Sequence, residues 1–477
     1  MQHETPLFIG GEWVEASSGA RLAVENPATG ETIGWVACAD VADLDRALDA
    51  AARGFAEWRI TGAFDRAALL RRAADLLRDR AEAIAPVMTR EQGKPLAEAL
   101  GEVRGAADML DWLAEEARRS YGRIVPARSA GIDQHVIRDA IGPVAAFTPW
   151  NFPINQAVRK LGAAIATGCS IILKGPEETP ASVAALVRAL SDAGLPPGVV
   201  NLVFGRPAEI SAHLIAHPVI RKVSFTGSTP VGRQLAALAG RHLKRITLEL
   251  GGHAPVIVAA DADLDRAAAV MAASKFRNAG QICIAPTRFL VEDDVHDAFV
   301  SRLVAQAEAI RVGDGLEPAT TMGPLANERR FQAVERLVAD ALARGAELRT
   351  GGGRVGNTGS FFQPTVLTGM TPDMAAMNEE PFGPLALVSR VACLDDAVAE
   401  ANRLDYGLAA YAFTGSARSM AELRNRVEAG MLSINHQGLA LPELPFGGIK
   451  DSGQGSEGGS EVLEAYLNIR TITQTTL

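Results

Sequence analysis

Cys283 is the first residue of this 477-residue chain whose type and setting could support catalysis. Gly280 and Gln281 interrupt the helical pattern just before it, so the thiol should lie on a turn that faces a cleft. A thiolate there would be a nucleophile, and Arg277 is a positive neighbour that could lower the pKa of the thiol. An isolated cysteine is also often a small buried apolar residue, and that is the alternative interpretation.

Glu249 and Asn151 are two further polar residues in apolar surroundings. Glu249 lies in the apolar stretch 247–250, which ends before two glycines. A carboxylate desolvated there has a raised pKa and can act as a general base. Asn151 lies in a turn shaped by two prolines in residues 148–153, and its amide could stabilise an oxyanion beside a reacting thiol. A salt-bridged carboxylate and a turn-forming asparagine are the alternatives.

Two strand ends carry residues suited to binding a nucleotide. Gly227 and Ser228 follow the strand 222–226 and open a helix, where backbone N–H groups and the helix dipole favour an anion such as pyrophosphate. Lys174 ends another strand, and Glu177 follows it three residues later. Because parallel strands share a carboxyl edge, both pairs should lie on the side of the sheet where nucleotides bind.

Other motifs favour structural interpretations. Residues 351–356 and 453–458 match the spacing GxGxxG, but neither stands between a strand and a helix, so both are interpreted as loops. His213 and His217 lie four residues apart just before a proline, which is typical of a solvated helix end. The four cysteines include no CxxC pair, so neither a disulfide framework nor a metal site is predicted.

Composition and charge exclude several classes of protein. The chain is 48% hydrophobic and 22% charged, which is typical of a globular protein with a large core. Its formal net charge is −9 and it has no basic stripe, so a nucleic-acid partner is not expected. The longest apolar run, residues 161–173, is interrupted by glycines and is too short to span a bilayer. Residues 1–10 contain no apolar leader, so a cytoplasmic protein is expected.

From residue 142 onward, apolar strand-like runs alternate with amphipathic helices. This alternation predicts a parallel α/β sheet, and a second α/β section begins near residue 252. The predicted strands are residues 144–147, 170–173, 199–203 and 222–225 in the first section and 255–259 and 288–291 in the second. The predicted helices are residues 154–166, 179–193, 264–276 and 295–310.

A separate arm is predicted from two extended pieces, residues 123–126 and 135–138, which are joined by a Ser-Ala-Gly turn. The tail, residues 468–473, alternates Thr and Ile, which is typical of a strand. We expect this strand to pair with the arm.

Six motifs occur together in an order that resembles the NAD(P)-dependent aldehyde dehydrogenase superfamily over essentially the whole chain. They are TPWNFP at 148–153, FTGS at 225–228, LELGG at 248–252, GQxC at 280–283, EEPFGP at 379–384 and PFGG at 445–448. The resemblance implies an α/β fold with two Rossmann-type domains and a β-arm for oligomerisation into a homodimer or homotetramer. The implied domains are an NAD-binding domain at 1–120 and 139–251, a catalytic domain at 252–440 and the arm at 121–138 and 456–477.

The resemblance also implies catalytic roles: Cys283 as the nucleophile, Glu249 as the general base and Asn151 as the oxyanion donor. In the implied reaction, the thiolate adds to a small aldehyde, and hydride transfer to the nicotinamide leaves a thioester. Glu249 then activates the water that releases the acid.

The cofactor site follows from the same resemblance. The residues implied to bind the cofactor are Thr148, Trp150, Lys174, Glu177, Gly227, Ser228, Leu250, Glu380 and Phe382. A carboxylate at Glu177 accepts hydrogen bonds from ribose hydroxyls and repels a 2′-phosphate, so NAD is expected rather than NADP. Gly175 stands where the family usually has a proline.

Within the superfamily, the chain resembles the succinate-semialdehyde dehydrogenase branch. Arg159 and Arg277 match two arginines of that branch and could pair with a substrate carboxylate, with Phe446 as a further substrate-binding residue. Structural ion pairing of the two arginines is the alternative. Leu444 precedes PFGG where relatives often carry serine, which makes the pocket more apolar. An ω-semialdehyde acid such as succinate semialdehyde is expected, with broad or aromatic aldehyde specificity as the alternative.

Three rival functions use only part of this pattern. A cofactor-free cysteine esterase would not need the nucleotide-binding residues. A dehydrogenase that releases its thioester to coenzyme A would not need Glu249. A non-enzymatic binding role would need none of the three catalytic residues.

Overall fold

The structure is a computed structural model that describes residues 3–475. Residues 1, 2, 476 and 477, which belong to the predicted segments 1–120 and 456–477, lie outside the described residues. No helix within the described part of the chain is both long and apolar enough to cross a bilayer. In the same part, no cluster of three His, Cys, Asp or Glu side chains could hold a metal ion.

Within residues 3–475, the strands fall into five sheets. They are β1 (His3–Thr5), β2 (Leu7–Ile9), β3 (Glu12–Val14), β4 (Arg21–Glu25), β5 (Thr32–Ala37), β6 (Arg123–Val125), β7 (Ile132–Ala140), β8 (Val144–Phe147), β9 (Ile171–Lys174), β10 (Val200–Val203), β11 (Lys222–Thr226), β12 (Arg245–Glu249), β13 (Ala254–Val258), β14 (Pro286–Glu292), β15 (Glu347–Thr350), β16 (Thr365–Thr368), β17 (Leu385–Val391), β18 (Tyr406–Gly407), β19 (Ala409–Phe413), β20 (Met431–Ile434), β21 (Ile449–Lys450), β22 (Gly453–Gln454) and β23 (Leu467–Thr475).

The helices cover the faces of the two large sheets. After β5, residues 41–117 are mostly helical. They are α1 (Val41–Trp58), α2 (Ala63–Asp79), α3 (Ala81–Gln92), α4 (Leu96–Ala117), α5 (Pro153–Thr167), α6 (Pro180–Asp192), α7 (Pro207–Ala216), α8 (Thr229–Arg241), α9 (Leu264–Phe276), α10 (His296–Glu308), α11 (Glu328–Ala343), α12 (Leu394–Asn402) and α13 (Ala417–Arg426). The strands and helices predicted from residue 142 onward are all present, with bounds within two residues of those predicted.

The first large sheet contains five parallel strands in the order β12-β11-β8-β9-β10. β22 pairs antiparallel with β12 at one edge, and β2 and β3 extend the other edge. From β8 the chain runs outward through β9 and β10, then returns to place β11 on the other side of β8. Open parallel sheets bind ligands at the carboxyl ends of strands where the order reverses in this way.

The second large sheet contains six parallel strands in the order β16-β17-β14-β13-β19-β20, with β15 antiparallel at one edge. A short connection, residues 250–253, joins β12 of the first sheet to β13 of the second. The carboxyl end of β12 therefore lies close to the amino end of β13. Because β14 pairs with β13 and begins just after Cys283, this topology brings the nucleophile candidate next to the end of β12.

The buried apolar side chains form separate clusters on the two sides of this connection. The first cluster draws on residues 7–250 and 462–467, and the second on residues 254–446. The predicted domain boundary between residues 251 and 252 falls between these two clusters.

The arm is a three-stranded antiparallel sheet in the order β23-β7-β6. Leu467 lies opposite Ala140, and the pairing continues to Thr475 opposite Ile132, so the predicted pairing of the tail with the arm is confirmed. The predicted arm segment 456–477 nevertheless begins too early. Residues 456–466 lie outside this sheet because their apolar side chains are buried in the first cluster.

Candidate active site

The turn that carries Cys283 is held in an unusual backbone conformation. A 3-10 turn at residues 277–280 follows α9, and Asn278, Ala279 and Gly280 have φ values of 49°, 51° and 72°. A side chain at Gly280 would collide with the backbone carbonyl of a neighbouring loop. The helix therefore stops here, and the half-buried thiol of Cys283 lies on a turn beside a cleft, as predicted.

The electrostatic surroundings of the thiol differ from the expectation. Burial and the negative charges of Glu380 and Glu249 raise the pKa of Cys283 to about 12. The net shift of the pKa is therefore upward, whereas the sequence predicted a lowering by Arg277. Its guanidinium instead lies 5.3 Å from the ring centroid of Phe152, on the wall of another cavity.

Asn151 lies between β8 and α5 and reaches the nucleophile turn. Its Nδ2 donates a hydrogen bond to the carbonyl of Gln281 at 3.0 Å, and it lines the same cleft as Cys283. The backbone carbonyl of Asn151 accepts hydrogen bonds from Lys94 Nζ at 2.8 Å and from Asn278 Nδ2 at 3.0 Å. The structure thus brings the predicted oxyanion donor and nucleophile together across the connection between the two sheets.

Sequence analysis missed a group of charged residues that supports this pair. Lys94 is fully buried and contacts Glu102 at 2.5 Å. Glu102 also accepts hydrogen bonds from the backbone N–H groups of residues 154–155 in the first turn of α5, at 3.0 and 3.1 Å. Glu98 accepts a hydrogen bond from Asn278 N–H at 3.0 Å. The spacing of four residues between Glu98 and Glu102 on α4 was the available signal, because it places both on one helix face.

Glu249 ends β12 as a buried carboxylate. Among the residues that the structure describes, neither of its oxygens has a hydrogen-bond partner. Burial and the charge of Glu457 raise the pKa of Glu249, and Lys160 and Arg159 oppose this shift. A carboxylate with a raised pKa and free acceptor atoms can take a proton from water, which matches the predicted chemistry.

Two glycines after β12 allow the backbone to lie against the reacting groups. A Cβ at Gly252 would lie 2.6 Å from the carbonyl oxygen of Cys283. A Cβ at Gly251 would lie 2.6 Å from Glu380 Oε2. The N–H of Gly252 donates a hydrogen bond to Glu380 Oε1 at 3.1 Å. These contacts fix Glu380 beside the nucleophile turn.

Glu457 and Lys160 form a buried ion pair that sequence analysis also missed. Lys160 Nζ donates to Thr226 Oγ1 at 2.7 Å, and the carbonyl of Glu457 accepts a hydrogen bond from Arg159 at 3.1 Å. The available signal was the pair of consecutive charged residues, Arg159 and Lys160, in the mostly apolar helix α5. Residues 453–458 had been interpreted only as a loop, but they carry β22 and bring Glu457 next to the end of β12.

A cleft of about 290 Å³ opens at the reversal point between β8 and β11. Ser228 is the N-cap residue of α8, as predicted, but its side chain makes no capping hydrogen bond. The hydroxyl and the helix N terminus are therefore both available to an anion. The residues lining the cleft that were predicted to bind cofactor are Trp150, Gly227, Ser228, Leu250, Glu380 and Phe382.

These residues fit a dinucleotide. Trp150 and Phe382 pack edge to face with ring centroids 5.7 Å apart, which provides an aromatic wall. Glu380 presents a buried carboxylate, and burial raises its pKa to about 7. A carboxylate can accept hydrogen bonds from ribose hydroxyls, and the N terminus of α8 can bind phosphate oxygens.

The other three predicted cofactor residues lie outside the lining of this cleft. Thr148 is buried, and its N–H donates to the carbonyl of Lys174 at 3.3 Å. Lys174 Nζ pairs with Glu177 at 2.6 Å, and Glu177 also accepts a hydrogen bond from Gly205 N–H at 2.9 Å. Both ionic side chains stand at the carboxyl edge of the first sheet, as predicted.

Gly175 is a departure from the family pattern at this edge, and its contact with Phe204 explains the departure. A Cβ at this position would lie 2.5 Å from the ring of Phe204. The bulky ring therefore fills the space that a proline would need.

A second cavity, of about 630 Å³, lies on the other side of the nucleophile turn. Its wall includes Ile282 and Ile284, the two neighbours of Cys283 in the chain, whereas Cys283 itself lines the cleft. Arg277 is exposed on its wall, and most of the remaining lining is apolar. Its lining includes Arg277, Ile282, Ile284, Tyr411, Leu439 and Leu441.

Arg159 and Phe446 pack against each other instead of lining this cavity. The guanidinium of Arg159 lies 5.1 Å from the ring centroid of Phe446, and both residues are buried. Desolvation lowers the pKa of Arg159. The structure thus places Arg277, but not Arg159, on the cavity wall.

Known proteins match the chain along nearly its whole length. The model of the aldehyde dehydrogenase family matches residues 13–472. A 4-(hydroxymethyl)benzenesulfonate dehydrogenase of Comamonas testosteroni is 52% identical over 97% of each chain. The NADP(+) succinate-semialdehyde dehydrogenase of Escherichia coli is 42% identical over 97% of this chain and 96% of the relative. The crystal structure of succinate-semialdehyde dehydrogenase from Burkholderia pseudomallei is 44% identical, covers 99% of this chain and 98% of that chain, and superposes with a TM-score of 0.97.

These matches agree with the α/β fold and with the motifs that surround the cleft. The chain therefore belongs to the aldehyde dehydrogenase family, and it is an NAD(P)-dependent oxidoreductase that acts on small aldehydes.

Proposed function

We propose that this enzyme oxidises an aldehyde that carries a sulfonate or carboxylate at its far end, with an aromatic ring between the two groups favoured. The observation that carries the proposal is the exposed guanidinium of Arg277 on the wall of a mostly apolar cavity next to the nucleophile turn, whose lining also includes Glu98. A guanidinium can form paired hydrogen bonds with either anion. Leu439 and Leu441 provide an apolar surface for a ring.

The names of two relatives support this substrate class. One relative is named for a benzenesulfonate and another for succinate semialdehyde, and both names contain an anionic group. Succinate semialdehyde, the substrate expected from sequence, remains a member of the class. A ring fits this mostly apolar cavity of about 630 Å³, because burial of apolar surface favours binding.

The proposed chemistry uses three side chains. Cys283, as thiolate, attacks the carbonyl carbon, and Asn151 Nδ2 with the Cys283 N–H stabilises the oxyanion. Bound NAD(P) supplies the hydride acceptor. Oxidation of the cysteine adduct gives a thioester on Cys283. Glu249 then removes a proton from the water that hydrolyses this thioester, and the carboxylic acid leaves.

Replacing Arg277 with glutamine tests the substrate proposal. Loss of a charge-assisted contact should lower kcat/KM for 4-formylbenzenesulfonate by about tenfold to one hundredfold. The value for benzaldehyde, which has the same ring without the charge, should change by less than about threefold. Initial rates of NADH or NADPH formation measure both. Arg349, an exposed arginine on β15, supplies the control variant Arg349→Gln.

Three outcomes of this experiment would contradict the proposal. The first is an equal loss for charged and uncharged aldehydes. The second is a wild-type preference for benzaldehyde. The third is an equal loss in the Arg349→Gln control. A preference for succinate semialdehyde over 4-formylbenzenesulfonate would retain the anionic class and reject the aromatic ring.

We further propose that NAD is preferred over NADP. Glu177 stands at the carboxyl end of β9, where its charge would repel a 2′-phosphate, and Gly205 N–H holds it in place. Wild-type kcat/KM should therefore be higher with NAD. Glu177→Gln should shift the NAD/NADP ratio of kcat/KM towards NADP by about tenfold, because it removes this repulsion and leaves Lys174 unpaired. A higher wild-type value with NADP, or an unchanged ratio in the variant, would show that the carboxylate does not select the cofactor.

The arm supports the proposal of a homodimer or homotetramer. Ile124 on β6 and Ile469 on β23, the two edge strands of the arm, are 75% and 74% exposed, and Tyr121, just before β6 in the chain, is 74% exposed. Exposed apolar side chains on an edge strand are suited to pairing with another copy of the chain. We also propose a cytoplasmic location, in line with the four cysteines, which form no disulfide in the part of the chain that the structure describes.

A further inference from the structure

Arg329 and Arg330 are consecutive residues in the first turn of α11, and both line the cofactor cleft. Within residues 3–475, neither guanidinium has a carboxylate partner at ion-pair distance. Glu328 on the same turn pairs with Arg354 at 2.9 Å, so it does not neutralise them. Arg336, one and a half turns further along the helix, pairs with Glu379. Within the described residues, Arg329 and Arg330 thus lack a carboxylate partner, whereas Arg336 and Arg354 each have one.

The cleft gives this positive charge a special setting. Arg330 is half-buried, and burial lowers the pKa of its guanidinium, as do the positive charges of Arg329 and Arg336. Glu380 opposes this shift but already accepts a hydrogen bond from Gly252 N–H. Arg329 is exposed, and its positive charge lies next to that of the half-buried Arg330, so the two like charges repel each other in the absence of an anion.

A second positive feature opens into the same cleft from the first large sheet. The N terminus of α8, a helix of 13 residues, lies there with Gly227 and Ser228. Ser228 makes no capping hydrogen bond with its side chain, so the backbone N–H groups and the hydroxyl remain available. The two features belong to different parts of the chain, since α8 precedes residue 252 and α11 follows it.

We propose that Arg329 and Arg330 bind the diphosphate bridge of the dinucleotide together with the N terminus of α8. Planar guanidinium groups donate paired hydrogen bonds to phosphate oxygens, and a diphosphate offers oxygens on two sides. The bound dinucleotide would then join the two large sheets through its phosphates. The proposal concerns phosphate binding and is independent of which aldehyde the enzyme oxidises.

Isothermal titration calorimetry on the full chain tests this assignment with three ligands. NAD⁺ and ADP-ribose contain the diphosphate, whereas 2′-AMP carries only a phosphate on the adenosine ribose. We expect Arg329→Gln and Arg330→Gln each to weaken binding of NAD⁺ and ADP-ribose about tenfold, and the double variant about one hundredfold. The affinity for 2′-AMP should change by less than about twofold. Arg330→Lys keeps the charge and should recover part of the affinity.

The control is Arg344→Gln, which changes an exposed arginine at the other end of α11. Its affinity for all three ligands should equal that of the wild type. Unchanged binding of ADP-ribose in the double variant would overturn the proposal. So would weakening confined to 2′-AMP, which would place the arginines at the adenosine ribose, or equal weakening in the Arg344→Gln control. Thermal melting by circular dichroism checks that each variant is folded.

Discussion

Replacing Cys283 with serine should reduce aldehyde oxidation by more than about 1,000-fold, because a neutral hydroxyl is a far weaker nucleophile than a thiolate. The affinity for NAD⁺ should stay within about twofold of the wild type, because the change removes no contact proposed for the dinucleotide. Initial rates and calorimetry measure the two quantities. Cys393→Ser, at an exposed cysteine, is the matched control and should retain full activity.

The pH dependence of thiol alkylation checks the same residue without a substrate. Burial, Glu380 and Glu249 raise the pKa of the Cys283 thiol to about 12, so the thiolate is a small fraction of the free enzyme at neutral pH. At pH values below the pKa, the thiolate fraction rises tenfold for each unit by which the pH increases. The logarithm of the iodoacetamide rate at Cys283 should therefore climb with a slope near one up to at least about pH 10.

Three results would contradict these expectations. A plateau of the alkylation rate near neutral pH would show that the free thiol is already ionised there. Substantial aldehyde oxidation by Cys283→Ser would show that the thiol is not the nucleophile. Oxidation that is retained in Cys283→Ser and lost in Cys393→Ser would assign the nucleophile to Cys393.

Replacing Glu249 with glutamine should separate the two halves of the reaction. The variant should form about one equivalent of reduced cofactor per site in a rapid burst, because addition and oxidation use Cys283 and Asn151. Steady-state turnover should fall by about 100-fold to 10,000-fold, because no base activates the water that hydrolyses the thioester. Stopped-flow absorbance and mass spectrometry of the acylated protein measure the burst and the trapped intermediate.

The wild-type pH profile should carry the same signature. Glu249 accepts a proton only when it is ionised, and burial and Glu457 raise its pKa. Deacylation should therefore slow as pH falls through this raised pKa, and Glu249→Gln should lose that dependence. Glu347→Gln, at an exposed carboxylate on β15, should leave both burst and profile unchanged. Absence of a burst, or unaltered turnover, would assign the base to another residue.

Local patterns were enough to predict much of the molecule. The alternation of apolar runs and amphipathic helices predicted the strands and helices after residue 142, because strand and helix periodicity is a property of neighbouring residues. The Thr/Ile tail predicted its pairing with the arm. The order of the motifs led to the family, and the expected positions of Cys283, Glu249 and Asn151 agree with the geometry.

Contacts between residues far apart in the chain decided the rest. Glu457 lies 298 residues from Arg159 and 297 from Lys160, yet it contacts both and raises the pKa of Glu249. No short window of sequence contains such a neighbour. For the same reason, the pKa of Cys283 is raised although a lowering by Arg277 was expected: burial and two carboxylates distant in sequence, Glu380 and Glu249, outweigh the lowering influences.

The chain's residue types and their order therefore specified which chemical groups are present and which strand or helix carries each. Folding specified the electrostatic environment of those groups, including the burial of Arg159, the exposure of Arg277 and the unpaired arginines of α11. The physical reason is that periodicity and turn preference act over a few residues. Desolvation and charge coupling instead depend on every group within a few ångströms in space, from whichever part of the chain it comes.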